Sequence, residues 1–255
     1  MYYSDRAPRT PLPKELTLRL LTDDPLFQSG PLGRFHNEVY NWTSIGKGFL
    51  RDHPDESLLL EEKILQHLGE DGTIVEGFHS EARTLLNEIA VRFPLEVWAA
   101  VARFLGPPMD ARAYHIKDWL RGNDAFQPEA GGMLATFPLD KVWEWVDGDL
   151  DQRAWYLATL VPPSLFREEG KPCLARELLI RYGDREDVRR NLMANFSTEG
   201  WMGSESAHHQ RKRDRLLGFA REDPDERVKR WLDEYVSYLD KQIKRAAIRE
   251  EREEP

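Results

Sequence analysis

Cysteine is almost absent from this 255-residue chain, which contains a single one, Cys173. One thiol cannot form an internal disulfide, and no set of cysteines and histidines has the spacing of a structural zinc site. The chain also lacks an apolar run of membrane-spanning length, and its first residues, Met1 to Arg6, do not resemble a signal peptide. These absences favour a protein of the reducing cytoplasm, and we expect no membrane contact.

Signatures of strands and of nucleotide-binding loops are also missing. Alternation of polar and apolar residues is nowhere sustained, so we expect almost no sheet. The segment Ile45-Gly46-Lys47-Gly48 has neither the glycine spacing nor the Ser or Thr of a P-loop, and Gly30 and Gly33 do not form a dinucleotide fingerprint. We therefore predict a protein that is not an enzyme and that uses no cofactor.

Acidic residues outnumber basic ones and give a net charge of −9, which is unevenly placed. Residues 51–203 carry 17 basic and 27 acidic side chains, whereas the 13 basic and 13 acidic side chains of residues 204–255 cancel. An acidic body repels phosphate backbones, which argues against a protein that wraps nucleic acid over most of its length. The eight tryptophans exclude general disorder, because so aromatic a chain has apolar surface to bury.

A short phrase occurs twice, as Phe93-Pro94-Leu95-Glu96-Val97-Trp98 and as Phe137-Pro138-Leu139-Asp140-Lys141-Val142-Trp143. Each copy places a proline where a helix accepts it, an acidic residue near the positive helix end, and a Val-Trp pair of buried type. The following helix also matches, because Arg112-Ala113-Tyr114 recurs as Arg153-Ala154-Trp155. This pattern indicates a repeated pair of helices.

These phrases resemble the units of HEAT-type repeats, in which a period of about 40 to 47 residues contains two helices. The resemblance implies an all-α fold, a HEAT-like α-solenoid of about four helical pairs over residues 54–255. Residues 1–53 contain five prolines and four glycines, which leave room only for short helices such as Lys14 to Leu21 and Phe35 to Trp42. We predict that residues 1–53 form an irregular N-terminal arm.

The last helix is the clearest one in the sequence, and we interpret it as the C-terminal cap of the solenoid. Its apolar residues form one stripe, made of Val228, Trp231, Leu232, Tyr235, Val236, Leu239, Ile243 and Ala246. The final turns, from Arg249 to Glu254, have no stripe, so we predict that they are solvated and frayed.

The C-terminal segment also resembles the helical-repeat tails of large bacterial multidomain proteins, some of them linked to phage defence. The shared pattern is Phe196, Gly200-Trp201, Gly203, the helix from Val228 and a closing run rich in Glu and Arg. Such tails recognise or scaffold while another domain acts. The resemblance implies a protein-binding or scaffold subunit of a larger bacterial complex, with an effector protein or a second copy as partner and a role in antiviral defence.

The most distinctive segment runs from Phe196 to Arg215. Trp201 lies between two glycines and precedes His208 and four cations in five positions. An aromatic side chain beside cations can bind an acidic partner, a phosphate or a nucleic acid strand. The candidate binding residues are Trp201, His208, Arg211, Lys212, Arg213 and Arg215.

A structural interpretation stands beside the binding one. A tryptophan in a connection between helices usually packs, so we expect Trp201 to lie between adjacent helical pairs. For the cations the sequence leaves two roles open, a binding edge or a solvated helix face opposite the apolar residues Leu216, Leu217 and Phe219.

Two other functions remain as alternatives. The first is a nucleic-acid or nucleotide-sensing helical module that uses the basic segment from Arg211 to Arg215. The second is a metal or thiol enzyme, because Glu-x-x-His pairs supply ligands in di-iron bundles and a thiol at a helix start can be reactive. Its candidates are Glu76, His79, Cys173, Glu205 and His208, although surface side chains near helix ends are the simpler interpretation.

Overall fold

The computed structural model describes residues 14–15, 35–67, 78–106, 111–121, 132–162, 173–198 and 200–253. The regular structure in these ranges is entirely helical, without a strand, and the predicted all-α class is confirmed. None of the helices in the described ranges has both the length and the apolar character needed to cross a membrane.

Short 3-10 helices also occur, at Pro54–Glu56 and Met133–Thr136. The α-helices of the described ranges are α1 (Phe35–Asp52), α2 (Ser57–His67), α3 (Phe78–Arg92), α4 (Pro94–Ala102), α5 (Ala111–Arg121), α6 (Leu139–Asp147), α7 (Leu150–Leu160), α8 (Leu174–Tyr182), α9 (Glu186–Phe196), α10 (Glu205–Glu222) and α11 (Glu226–Glu253).

The chain divides into two compact units. Unit 1 comprises Met1–Trp119 and Thr136–Lys141, and unit 2 comprises Leu120–Ala135 and Val142–Pro255. The predicted limit between an arm and a repeat domain at residue 53 stays a prediction. The functional argument below concerns unit 2.

Helix α1 is longer than the short helix expected at Phe35 to Trp42, because the glycines that follow do not end it. Gly46 is buried where α1 packs on α3. A Cβ atom at this position would lie 2.6 Å from Cδ1 of Leu85, so only glycine allows the helices to approach this closely. Glycine often interrupts a helix, but Gly46 lies within α1 and allows it to pack closely on α3.

Unit 1 buries one carboxylic acid in its helical core. Glu61, on α2, is 7% exposed, and its Oε1 atom has no hydrogen-bond partner among the described residues. Burial raises the pKa of Glu61 from 4.5 to about 7, because the charged form loses water. The charge of Arg103 opposes this shift, and the charge of Glu62 adds to it.

The two copies of the repeated phrase both open helices. Pro94 is in the first turn of α4, whereas α6 begins one residue after Pro138. The Val-Trp pair is buried in each helix, as expected. In unit 1 the copies meet, because the Trp98 ring lies 5.2 Å from the Phe137 ring and its Nε1 atom donates to the carbonyl of Lys141 at 3.3 Å.

Unit 2 is held together by packing of α7 on α9, of α8 on α11 and of α10 along α11. A buried amide joins α9 to the end of α7. Nδ2 of Asn195 donates to the carbonyl of Ala158 at 3.0 Å and to that of Val161 at 2.6 Å. These bonds pair two carbonyls at the last turn of α7, where a helix leaves its own acceptors unpaired.

The last helix, α11, has the predicted apolar stripe on its buried side. Val228, Trp231 and Tyr235 are buried, and so are the later members of the stripe except Ile243, which is half-buried. The final turns differ from the prediction of frayed helix. Helix α11 continues to Glu253, and Nη1 of Arg249 contacts Oε2 of Glu205 on α10 at 2.9 Å.

Candidate binding site at the Trp201 loop of unit 2

Helix α10 begins after a tight turn that the local sequence dictates. Gly203 has a φ of 84°, a left-handed conformation that favours glycine. The next residue, Ser204, is the N-cap, and its Oγ atom accepts a hydrogen bond from the backbone N–H of Ala207 at 3.1 Å. We call residues 200–204 the Trp201 loop.

The Trp201 loop presents large apolar side chains at the surface. Trp201 is 44% exposed and Met202 is 95% exposed. The expectation that Trp201 packs between helical pairs is therefore wrong. The loop instead lies against the first turns of its own helix, where the Trp201 ring stacks on His208 with centroids 5.4 Å apart and lies 5.8 Å from His209.

A cavity of about 150 Å³ opens beside the loop, between α10 and α11. Three of the predicted residues, Trp201, His208 and Lys212, line it. The rings of Tyr235 and Tyr238, which stack with centroids 6.1 Å apart, also contribute to the lining. The cavity is thus bounded by aromatic rings and imidazoles, with polar atoms among them, and is completed by Ser197, Glu205, His209, Leu239 and Gln242.

One side of the cavity carries a carboxylate and an imidazole from successive turns of α10. Oε1 of Glu205 lies 3.6 Å from Nε2 of His209, which is longer than a hydrogen bond, and its other oxygen contacts Arg249. Nδ1 of His209 is buried and has no hydrogen-bond partner among the described residues. A buried ring nitrogen without a partner is uncommon in folded proteins.

Lys212 is the cation of the cavity. Its Nζ atom donates to the carbonyl of Phe196 and lies 5.6 Å from the centre of the Tyr235 ring. Ser197 and Tyr235 bring their hydroxyl oxygens within 3.4 Å of each other.

The remaining predicted cations lie outside the lining of the cavity. Nε of Arg213 contacts Oδ1 of Asp240 at 2.5 Å, and Nη1 of Arg213 contacts Oδ1 of Asp214 at 3.1 Å. The hydrogen bond to Asp240 is the main reason that the pKa of Arg213 is raised. Arg211 and Arg215 are exposed. The predicted set therefore separates into a group that lines the cavity and a group on other parts of α10.

Several lining residues were not among the candidates from the sequence. His209 is one of them, although it lies four residues after Glu205 and three before Lys212, both of which were candidates, so that the three share one face of α10. Tyr235 was assigned to the apolar stripe of α11. Tyr235 lines the cavity because α10 packs along α11, and the sequence does not show this contact.

Of the candidates for a metal or thiol enzyme, Glu205 and His208 both line the cavity, whereas Cys173 does not. Glu76 and the side chain of His79 lie outside the described residues. Cys173 is buried at the start of α8. In the part of the chain that the structure describes, no three His, Cys, Asp or Glu side chains are grouped as the ligands of one metal ion would be.

Comparison with known proteins gives this chain no relative: no family model, curated protein or solved structure matches it.

Proposed function

We propose that this chain is a non-enzymatic protein-binding subunit of a larger bacterial complex, and that its helices form a HEAT-like α-solenoid of about four helical pairs. The partner is a protein, an effector subunit or a second copy, and the Trp201 loop contacts it. The resemblance of the C-terminal segment to the tails of phage-defence proteins is what suggests an effector in antiviral defence.

The exposure of the Trp201 loop is the observation that carries this proposal. Tryptophan and methionine are enriched in the buried centres of protein interfaces, and tryptophan is frequent among the residues that dominate binding energy. Burying a side chain of this size removes apolar surface from water and contributes about 1.5 to 3 kcal/mol. Trp201 and Met202 are adjacent, so one partner surface can cover both.

The loop is also held in place, which favours binding. Ser204 caps α10, and the Trp201 ring stacks on His208. The carboxylate of Glu250 accepts hydrogen bonds from the backbone N–H of Ser206 at 3.1 Å and from its hydroxyl at 2.5 Å, so the first turn of α10 is tied to α11. A surface that is ordered before binding loses less conformational entropy when the partner arrives.

A nucleic-acid-binding function is the alternative, and exposed arginines on α10 support it. Arg211 and Arg215 are exposed on the same helix, four residues apart, so their side chains lie on one face. Arg213, Lys212 and Arg215 all interact with groups of the protein itself, which reduces the charge offered to a phosphate backbone. We therefore rank this alternative second.

The test is an affinity capture from the native host with three forms of the tagged chain. They are the wild type, the double variant Trp201→Ser with Met202→Ser, and a control with Val91→Ser and Leu95→Ser. The control removes two apolar side chains of unit 1 that are 66% and 50% exposed, so it matches the change in surface hydrophobicity. Each capture is run with and without nuclease.

We expect a stoichiometric protein partner that survives nuclease, is lost with the loop variant and is kept with the control. Equal capture by the loop variant and the wild type would overturn the role of the loop. Recovery of nucleic acid alone, abolished by nuclease, would replace the proposal with the alternative, and replacing Arg211 and Arg215 with alanine would then have to weaken binding.

A further inference from the structure

We propose that Met202 is a redox-sensitive modification site, and that its reversible oxidation to methionine sulfoxide by a peroxide releases the partner from the Trp201 loop. The release rests on the protein-binding function proposed above, because it is the regulation of that same surface. The oxidation concerns the free chain alone.

Met202 presents the most accessible sulfur atom of the described residues. Its side chain is 95% exposed, whereas Met133 is 3% exposed and Met193 is half-buried. The single thiol of the chain, that of Cys173, is only 8% exposed at the start of α8. A dissolved peroxide therefore meets the thioether of Met202 before any other sulfur in the part of the chain that the structure describes.

The two apolar side chains of the loop differ in their surroundings. The Trp201 ring stacks on His208, with centroids 5.4 Å apart, and is 44% exposed. Met202 precedes the left-handed turn at Gly203 and the N-cap Ser204, and nearly all of its surface is in solvent. The side chain is thus offered to a partner and to an oxidant alike. It adds little to the core, so we expect its oxidation to leave the fold unchanged.

The oxidation of Met202 is a two-electron step. A lone pair of the Sδ atom attacks one oxygen of hydrogen peroxide, so that an S–O bond forms and the O–O bond breaks. The leaving hydroxide takes the proton from the oxygen that is now bound to sulfur, which gives one sulfoxide and one water. Methionine sulfoxide reductases reverse the change with two thiols, which are oxidised to a disulfide while the oxygen leaves as water.

The sulfoxide changes what the loop offers to a partner. Oxidation places a polar oxygen on a side chain that was apolar. A partner surface that covers Trp201 and Met202 would bury this oxygen, and burial of a polar group without a hydrogen bond costs free energy. We expect the affinity for the partner to fall by about tenfold or more, and reduction of the sulfoxide to restore it.

The test uses the tagged full chain, treated with a low dose of hydrogen peroxide that catalase then removes. Peptide mass spectrometry follows sulfoxide formation at all five methionines of the chain, and thermal melting by circular dichroism checks the fold. Untreated, oxidised, and oxidised then enzymatically reduced protein each serve for capture from a lysate of the native host. The lysate is desalted first, so that its own reductases have no supply of reductant.

Three variants separate Met202 from the other methionines. Met202→Leu keeps an apolar side chain without a sulfur atom, so it should capture the partner both before and after peroxide. Met202→Gln places a polar group at the same position and should capture the partner poorly without any oxidant. Met193→Leu is the matched control, because it removes another thioether and should stay as sensitive to peroxide as the wild type.

We expect the sulfoxide of Met202 to form first, capture to be lost with it, and enzymatic reduction to restore capture. Oxidation of Met193 or Met133 ahead of Met202 would overturn the assignment of the site. Equal capture by untreated and oxidised wild type, or loss of capture by peroxide-treated Met202→Leu, would overturn the regulation and leave the binding function standing. If the untreated chain captures no protein, the binding function fails and the regulation fails with it.

Discussion

Asn195 and Glu61 are polar side chains buried in helical cores, one in unit 2 and one in unit 1, but their surroundings differ. The amide of Asn195 donates to two carbonyls at the end of α7. Oε1 of Glu61 has no hydrogen-bond partner among the described residues, and burial holds the pKa of this acid at about 7. The amide of Asn195 satisfies two carbonyls at a helix end, whereas the charged form of Glu61 lowers the stability of the folded state.

The difference teaches that burial alone does not tell what a polar group does. Oδ1 of Asn195 also lacks a partner among the described residues, but the amide is neutral at every accessible pH. A carboxylic acid in the same situation becomes charged as the pH rises past its pKa, and burial of the charged form costs free energy. We expect the first site to contribute stability that does not depend on pH, and the second to make stability fall as pH rises.

The largest effect is expected for Asn195→Leu. The substitution keeps the number of side-chain heavy atoms but leaves the carbonyls of Ala158 and Val161 without their donor, so the free energy of unfolding should fall by about 3 kcal/mol. Urea denaturation measures it. Asn191→Leu is the control, because Asn191 lies on the same helix, is half-buried and, within the described ranges, donates only to the carbonyl of Asp187 at 2.8 Å. Equal losses for the two variants would show that the bonds to α7 do not matter.

The second effect is expected for Glu61→Gln and depends on pH. Below pH 4.5 the acid is protonated in both the folded and the unfolded state, so the variant should match the wild type. Between pH 4.5 and 7 the unfolded state loses its proton first, which lowers the stability of the wild type as pH rises. At pH 8 the variant should be more stable by about 2 kcal/mol.

Thermal melts from pH 4 to pH 8 measure this difference. Glu88→Gln, an exposed position on α3, is the control and should leave the pH dependence unchanged. If Glu61→Gln gives no gain above pH 7, the carboxylate of Glu61 has a partner when it is charged, and the contrast with Asn195 disappears.

The smallest effect concerns charged groups that do have partners. Arg176 donates to Asp223 from Nε at 2.7 Å and from Nη2 at 3.2 Å, and both side chains are mostly buried. Arg176→Met should lower stability by about 1 to 2 kcal/mol, because it takes the cation away from a mostly buried carboxylate. The loss stays moderate because Asp223 still accepts a hydrogen bond from the backbone N–H of Asp225 at 2.9 Å. Arg190→Met breaks an exposed pair with Glu186 and should change stability by less than about 0.5 kcal/mol. Similar losses in chemical denaturation would mean that burial does not set the value of these pairs.

Local patterns predicted the elements of the fold but not their contacts. The absence of alternation predicted an all-α chain, and the spacing from Val228 to Leu239 predicted the buried side of α11. Gly46 was interpreted as a helix breaker, because the sequence does not show that Leu85 approaches it. The last turns of α11 were expected to fray, because the residue that pairs with Arg249 is Glu205, far away in the chain.

The candidate site was predicted only in part, because the sequence does not show which helices contact each other. Trp201, His208 and Lys212 stood out because they lie close together in the sequence beside glycines and cations. Tyr235 and Tyr238 of α11 did not stand out, because a tyrosine on a helix gives the same sequence pattern whether it lines a cavity or packs in the core. The expected burial of Trp201 was wrong because Gly203 turns the loop outward before α10 begins.

The contacts between the last turns of α11 and the first turn of α10 have a consequence for proteolysis. A protease that removes residues beyond Ala246, the last buried member of the stripe, would take away Arg249 and Glu250 without opening the core. Glu205 and Ser206 would then lose their partners, and the start of α10 would loosen around Trp201 and His209. Trimming at this end would therefore loosen the proposed binding surface while leaving a protein that still melts cooperatively.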